Sequence, residues 1–214
     1  RPNPPLTLIK HLSDEKLLPC IYFVFSRRRT EELAEEILRF NFLQDEERRR
    51  ITELYGQLCD RYELTNEPSA FKLRPFVERG VAYHHAGMLP TLKEVVERLF
   101  TSRLIKVIFT TETFALGINM PAKSVIFDDL SKYYGFGHAF LKTRDFYQMA
   151  GRAGRRSIDT EGFVFCRVNP RYVAPDQIER MIFSEPEKVT SRFNASYATL
   201  LNLYAKYGER LYDI

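Results

Sequence analysis

The sequence predicts an α/β domain: a doubly wound, mostly parallel sheet flanked by helices, followed by a C-terminal helical connector. Three observations lead there. Short continuous apolar runs rich in β-branched and aromatic residues recur at 20–25, 81–84, 104–110, 124–127 and 162–168, as expected of strands buried on both faces. Stretches with apolar residues three and four apart separate most of them, which is the helical period. After about residue 170 the strand signals stop, and 175–183 and 186–208 read as helices leaving the sheet.

Taken in order, the opening Arg1-Pro-Asn-Pro-Pro5 reads as a linker covering 1–15, and a chain that starts with Arg is expected to be a piece of a longer one. The sheet domain is assigned to 16–170 and the connector to 171–214. The run Cys20-Ile-Tyr-Phe-Val-Phe25 is a strand broken by Ser26-Arg-Arg-Arg-Thr30. A helix over 31–40 follows, with Thr30 as its N-cap and Glu31 and Glu32 at its positive end. Residues 44–63 place Ile51, Leu54, Leu58 and Tyr62 on one face of a charged helix, whose Arg48-Arg-Arg50 reads as a solvated face. A helix over 71–79 closes at Gly80. The next strand, 81–84, leads through His85-Ala-Gly87 and Pro90 into a helix striped by Leu92, Val95, Val96, Leu99 and Phe100. Between the fourth strand and residue 145, Tyr133-Tyr-Gly-Phe-Gly-His-Ala-Phe140 stands apart as a glycine-aromatic loop or hairpin.

Composition narrows the class. With 214 residues and 44% hydrophobic side chains the chain can bury a core of its own, about one domain and an appendage. No apolar run approaches the roughly 18 residues that span a bilayer, and no signal segment opens the chain. The expectation is a soluble intracellular protein, cytoplasmic or, in a eukaryote, nuclear, without a membrane partner. Three cysteines in unrelated positions give neither a disulfide framework nor a zinc site, and the four histidines carry no ligand spacing, so no metal site is expected. A net charge of +4 permits nucleic-acid binding without requiring it.

The chemically dense stretch is Gln148-Met-Ala-Gly-Arg-Ala-Gly-Arg-Arg156, with three arginines and two glycines in nine residues. Guanidinium forks match phosphate oxygens, and small residues let backbone approach a charged ligand. On a helix, Gln148, Arg152 and Arg155 at i, i+4 and i+7 would share a face. A basic run is more often a solvated face, so the reading needs context. The strand ends supply some: in open α/β sheets ligands gather at the carboxyl ends, where this sequence delivers Ser26 and Arg27, then His85 and Gly87, then Thr111. Hydroxyls, an imidazole and helix N-termini make a track for a phosphodiester backbone. Each also has a plain alternative: Ser26 as a helix cap, one of His84 and His85 as a core histidine, Gly117 and Pro121 as turn punctuation.

Jointly the motifs resemble superfamily 2 DExH-box helicases of the Ski2-like branch. Gln148-x-x-Gly151-Arg152-x-Gly154-Arg155 resembles motif VI. Ser26 with its helix is similar to motif IV, His84-His85-Ala-Gly87 to motif IVa, and Thr111-Glu-Thr-Phe-Ala-Leu-Gly117-Ile-Asn119-Met-Pro121 to motif V, in the family's order. The resemblance implies a second, C-terminal RecA-like domain of an ATP-dependent helicase acting on nucleic acid, with RNA preferred and a DNA-acting helicase of the same branch as the alternative. It implies that Arg152, Arg155 and Gln148 serve catalysis as γ-phosphate contacts, with Gly117, Asn119 and Gly151 facing the nucleotide. Ser26, Arg27, His85, Gly87, Thr111 and Phe136 would face the strand, Phe136 in the place of a strand-separating hairpin. The cofactor implied is ATP with Mg2+ held mainly by an N-terminal RecA-like domain outside this sequence, since no Gly-x-x-x-x-Gly-Lys-Ser/Thr loop or acidic box occurs here. This stretch alone is therefore expected to be inactive. Competing classes are a non-catalytic nucleic-acid or protein binding module of the same fold and a small α/β enzyme of unrelated chemistry, which lacks a nucleophile elbow or Gly-rich cofactor loop here. Arg152 and Arg155 buried in internal ion pairs away from any open surface would count against the helicase reading.

Overall fold

A computed structural model describes residues 4–114, 120–187 and 197–208. Pro4 and Pro5, which read as a linker, instead start a helix. Proline at the first helical position has its φ already set and lacks only an N–H that would go unpaired. Helix α1 (Pro5–Asp14) buries Ile9 and Leu12 completely, so the expected 1–15 linker is corrected to a packed element of the domain.

The chain then runs β1 (Cys20–Phe23), α2 (Arg27–Glu36), α3 (Asp45–Arg61), α4 (Pro68–Val77), β2 (Val81–His84), α5 (Pro90–Thr101), β3 (Val107–Thr110) and β4 (Ser124–Phe127). A hairpin, β5 (Ser131–Tyr133) and β6 (His138–Phe140), precedes α6 (Thr143–Ala150), β7 (Phe163–Cys166), α7 (Pro175–Phe183) and α8 (Tyr197–Tyr207). The order in the main sheet is β2-β3-β1-β4-β7, with every pairing parallel. From β1 the chain moves out to β2, returns through β3, passes β1 and continues to β4 and β7. Right-handed crossovers on a path that reverses direction place α2 and α5 on opposite faces. Every residue of β1 to β4 is accordingly buried.

The core is aromatic along the register. Tyr22 meets Phe109 at 5.0 Å, Phe23 meets Phe127 at 5.8 Å, and Phe127 stacks on Phe146 of α6 at 5.0 Å. Such pairs contribute about 0.5–1.5 kcal/mol each beyond burial. They fix α6 against β4. The α5 stripe is buried as expected. Helix α2 begins four residues earlier than expected: Ser26 is the N-cap, accepting from Arg29 N–H at 3.4 Å. Thr30 lies inside the helix, its hydroxyl donating to the carbonyls of Ser26 and Arg27, both at 2.7 Å. Of the expected 186–208 helix, 197–207 is observed, and 188–196 lies outside the described residues. No helix among the described residues is long and apolar enough to cross a membrane.

Candidate functional site

The sheet presents two edges, and the sequence-predicted residues divide between them. At the carboxyl edge β1 delivers Ser26 and Arg27, both exposed, and β2 delivers His85 and Gly87. These converge: a Cβ built on Gly87 would lie 3.1 Å from His85 Nδ1 and 3.5 Å from Arg27 Cδ. His85 is buried and fully used. Its Nδ1 accepts the Gly87 N–H at 3.1 Å, which leaves the proton on Nε2, 3.0 Å from a Glu31 oxygen. Glu31 also pairs with Lys72. The imidazole therefore shapes the turn before α5 and ties it to α2, with 5% of the residue exposed. What faces outward here is the Arg27 side chain and the exposed Ala86-Gly87 backbone.

His84 is the core histidine of the pair. Its Nε2 lies 2.9 Å from Glu97, its ring packs on Phe114 at 4.9 Å, and burial pushes its pKa down to about 4. Its Nδ1 has no hydrogen-bond partner among the described residues. Thr111 follows β3 but is only 7% exposed, and its hydroxyl meets that of Thr113 at 3.1 Å. Gly117 and Asn119 lie outside the described residues.

The hairpin separates two aromatics that sequence treats alike. Phe136 at its tip is 78% exposed and stacks on Tyr134 at 6.4 Å. Tyr134 is pinned: its hydroxyl donates to Asp145 at 2.9 Å and accepts the Lys142 N–H at 3.0 Å, while Lys132 pairs with Asp145 at 3.0 Å. The Lys132 and Lys142 ammonium groups lie 4.7 Å and 5.3 Å from its ring centre. Phe136 is thus the aromatic left open for stacking.

The arginine segment lies at the opposite, amino edge. Helix α6 carries an exposed Gln148 on its last turn and stops at Ala150, so the helical face expected to join Gln148, Arg152 and Arg155 does not form. A Cβ on Gly151 would come 2.9 Å from the Tyr147 carbonyl oxygen. Beyond it the chain adds to the sheet: Ala122 N–H donates to the Arg152 carbonyl at 2.9 Å, and Gly154 N–H donates to the Ala122 carbonyl at 2.7 Å. Gly154 has φ +88°, a left-handed conformation that favours glycine. Gly162 passes directly behind, where a Cβ would meet Ala153 C and Gly154 N at 2.5 Å.

Arg155 is held by Asp159 at three points. Its backbone N–H, Nε and Nη2 lie 3.0, 2.7 and 2.7 Å from the carboxylate oxygens. The two side chains are 17% and 6% exposed. These bonds, led by the one from the Arg155 side chain, keep the Asp159 carboxyl below its ordinary range. The pair nonetheless borders an opening, because Arg155, Arg156 and Arg103 rim a cavity of about 290 Å³ with Pro19, Met120 and Pro121 in its wall. Arg152 is half-buried beside it in the chain. Anions suit this rim. Asp159 is committed to Arg155, and no group of three His, Cys, Asp or Glu side chains among the described residues is placed to hold a metal ion. Asp159 and Gly162 escaped the sequence reading. The i, i+4 spacing of Arg155 and Asp159 was the available signal, though the residues between them do not form a helix.

A RecA-like parallel sheet with an arginine segment at one edge and helix starts at the other defines a class, the helicase C-terminal domain. The model of that family, described as the helicase conserved C-terminal domain, matches residues 5–157, and the chain belongs to this family. The match begins at the first residue of α1. Among curated relatives, the chain is 37% identical over 198 residues to the Antiviral helicase SKI2 of Saccharomyces cerevisiae, covering 92% of this chain and 15% of that protein. It is 36% identical over 201 residues to DExH-box ATP-dependent RNA helicase DExH10 of Arabidopsis thaliana, covering 93% and 20%. It is 33% identical over 204 residues to Exosome RNA helicase MTR4 of Homo sapiens, covering 94% and 20%. The chain spans a fifth or less of the length of these relatives. The resemblance to the Ski2-like DExH branch is borne out.

Proposed function

We propose that this chain is the second RecA-like half, with its connector, of an ATP-dependent RNA helicase, the sheet domain covering 16–170 and extending back through α1. In this reading the amino edge faces ATP held with Mg2+ by an N-terminal domain. Arg155 and Arg152 complement charge on the γ-phosphate, while Gln148, Gly151, Gly117 and Asn119 border the nucleotide. ATP supplies a phosphoanhydride whose transition-state charge spreads over oxygens that fixed guanidinium groups stabilise. The carboxyl edge holds the strand through Arg27, the α2 start capped by Ser26 and the turn at Gly87, and Phe136 offers a ring for a base, worth about 1–3 kcal/mol per stack. Thr111 and His85 support that edge from within. The names of the relatives favour RNA over DNA as the substrate.

The observation that carries the reading is the cavity itself. Arg155 lines it together with Met120 and Pro121, the end of the same segment that leaves β3 at Thr111 beside the strand-facing edge. One segment thereby touches both proposed ligand edges. The internal pairing of Arg155 with Asp159 favours a second reading, a RecA-like binding module in which that arginine only holds a loop. Arg152→Ala and Arg155→Ala in the full-length protein separate the two. The helicase reading expects RNA-stimulated ATPase to fall by about 10³ or more with RNA affinity within a few-fold. ATPase within a few-fold of the unaltered protein for both would leave the binding module.

A further inference from the structure

We infer that Asp159 is a positioning residue for the proposed phosphate chemistry, clamping Arg155 so that the remaining edge of its guanidinium is presented to the anion. The inference rests on the reading of Arg155 given above and goes beyond it by assigning a residue outside the resembled motif.

A free arginine side chain samples many rotamers and loses that freedom when it binds. Here that loss is already taken. Asp159 accepts from Nε and Nη2 at 2.7 Å each, the bidentate geometry in which a carboxylate and a guanidinium lie in one plane. The same carboxylate accepts the Arg155 backbone N–H at 3.0 Å, so it fixes the base of the side chain as well as its end. Both groups are largely shielded from water, Asp159 at 6% exposure, where a charge-assisted pair is less screened than at the surface. With Nε and one N–H of Nη2 occupied, both N–H groups of Nη1 and the second of Nη2 are left for a ligand, and Arg155 borders the cavity. Arg103 and Arg156 on the same rim have no hydrogen bond to protein side chains among the described residues and keep the opening cationic although Asp159 offsets Arg155.

The loop geometry supports the same role. From Gly154 onward the chain is attached to Ala122 by backbone bonds on one side and to Gly162 by contact on the other. Asp159 closes the turn between them, its Asp159 N–H also donating to the Arg155 carbonyl at 2.9 Å. The arginine is therefore held at both ends of its loop.

The test is steady-state ATPase of the full-length protein with saturating RNA, comparing Asp159→Asn, Asp159→Glu, Arg155→Ala and the Asp159→Asn/Arg155→Ala double variant. Asp159→Asn keeps the volume and removes the charged two-oxygen acceptor. The expected result is a fall in kcat of about 10- to 100-fold, the scale of a 1 Å misplacement of a reacting group, with KM for ATP and RNA affinity within about twofold. Asp159→Glu is expected to recover part of the loss, and the double variant to be no slower than Arg155→Ala alone. A kcat for Asp159→Asn equal to or above that of the unaltered protein, with Arg155→Ala inactive, overturns the clamp and leaves the arginine reading standing. Equal losses from Asp159→Asn with and without Arg155, accompanied by lost RNA affinity, also overturn it, since they mark a residue that only holds the fold. Full activity of Arg155→Ala removes the underlying reading instead.

Discussion

Gly162→Ala tests how tightly the arginine loop is held. The added Cβ would lie 2.5 Å from Ala153 C and Gly154 N and 2.6 Å from Ala153 O, all backbone, while ordinary contact starts at 3.4 Å. About 0.9 Å must be recovered by moving the two backbones. Both sides are bonded to the chain entering β4, Phe163 through Lys123 and 152–154 through Ala122, so the displacement is shared and reaches Arg152 and Arg155. Overpacking of this kind costs about 1–3 kcal/mol. A loop destabilised by that amount opens roughly 5- to 150-fold more often, which hydrogen exchange of peptides covering 150–165 in the full-length protein reads directly. Under the proposed function, a shift near 1 Å also predicts an ATPase loss of about 10²-fold with RNA affinity retained. Exchange and ATPase both within twofold of the unaltered protein would refute the argument that this glycine sets the position of the arginines.

Two other perturbations address the supports of α6. The exposed Glu187 carboxylate accepts the N–H groups of Thr143 and Arg144 at 3.1 and 3.0 Å, capping a helix whose own N-cap residue, Lys142, supplies no side-chain bond. Slight burial raises its pKa, but these backbone bonds outweigh that and leave the carboxyl below 4.5. A depressed folded value means the cap contributes above the unfolded pKa and fades as pH falls through the folded one. Protection of α6 amides, worth about 0.5–1 kcal/mol here after solvent screening, is expected to drop below about pH 4.5 in the unaltered protein and to show no such step in Glu187→Gln, and an identical pH profile for both would refute the cap. Tyr134→Phe removes a hydroxyl bonded to Asp145 and to Lys142 N–H, about 0.5–1.5 kcal/mol. Exchange in 131–142 is expected to rise about 2- to 12-fold, and no change would mean that the hairpin is not anchored through this residue.

Much of the fold was legible because buried parallel strands are continuous apolar runs. The strands at 81–84 and 124–127 match β2 and β4 residue for residue, and the α5 stripe is buried in full. The errors share a cause: side chains that serve two structures equally well. Ser26 and Thr30 both cap helices, and only the backbone shows that Ser26 does so. Pro4-Pro5 punctuates a linker or begins a helix, and the buried Ile9 and Leu12 decide for the helix. In the arginine segment the helical spacing continues past Ala150, but the backbone bonds to Ala122 and the positive φ of Gly154 take the chain through a single bridge into turns. At the candidate site, sequence named candidate residues and missed the partners that hold them. Neither the Glu31 that claims His85 nor the Asp159 that claims Arg155 belongs to a motif, and each is defined by a contact that only folding creates.

The strands of this sheet are four residues long. At about 3.3 Å per residue the slab is only about 13 Å deep, little more than the width of one helix. Thr111, which follows β3, and Ala122, which precedes β4, therefore sit at rims separated by about that depth. The rim that carries the arginine segment and the rim where helices α2 and α5 begin are thus little more than one helix width apart.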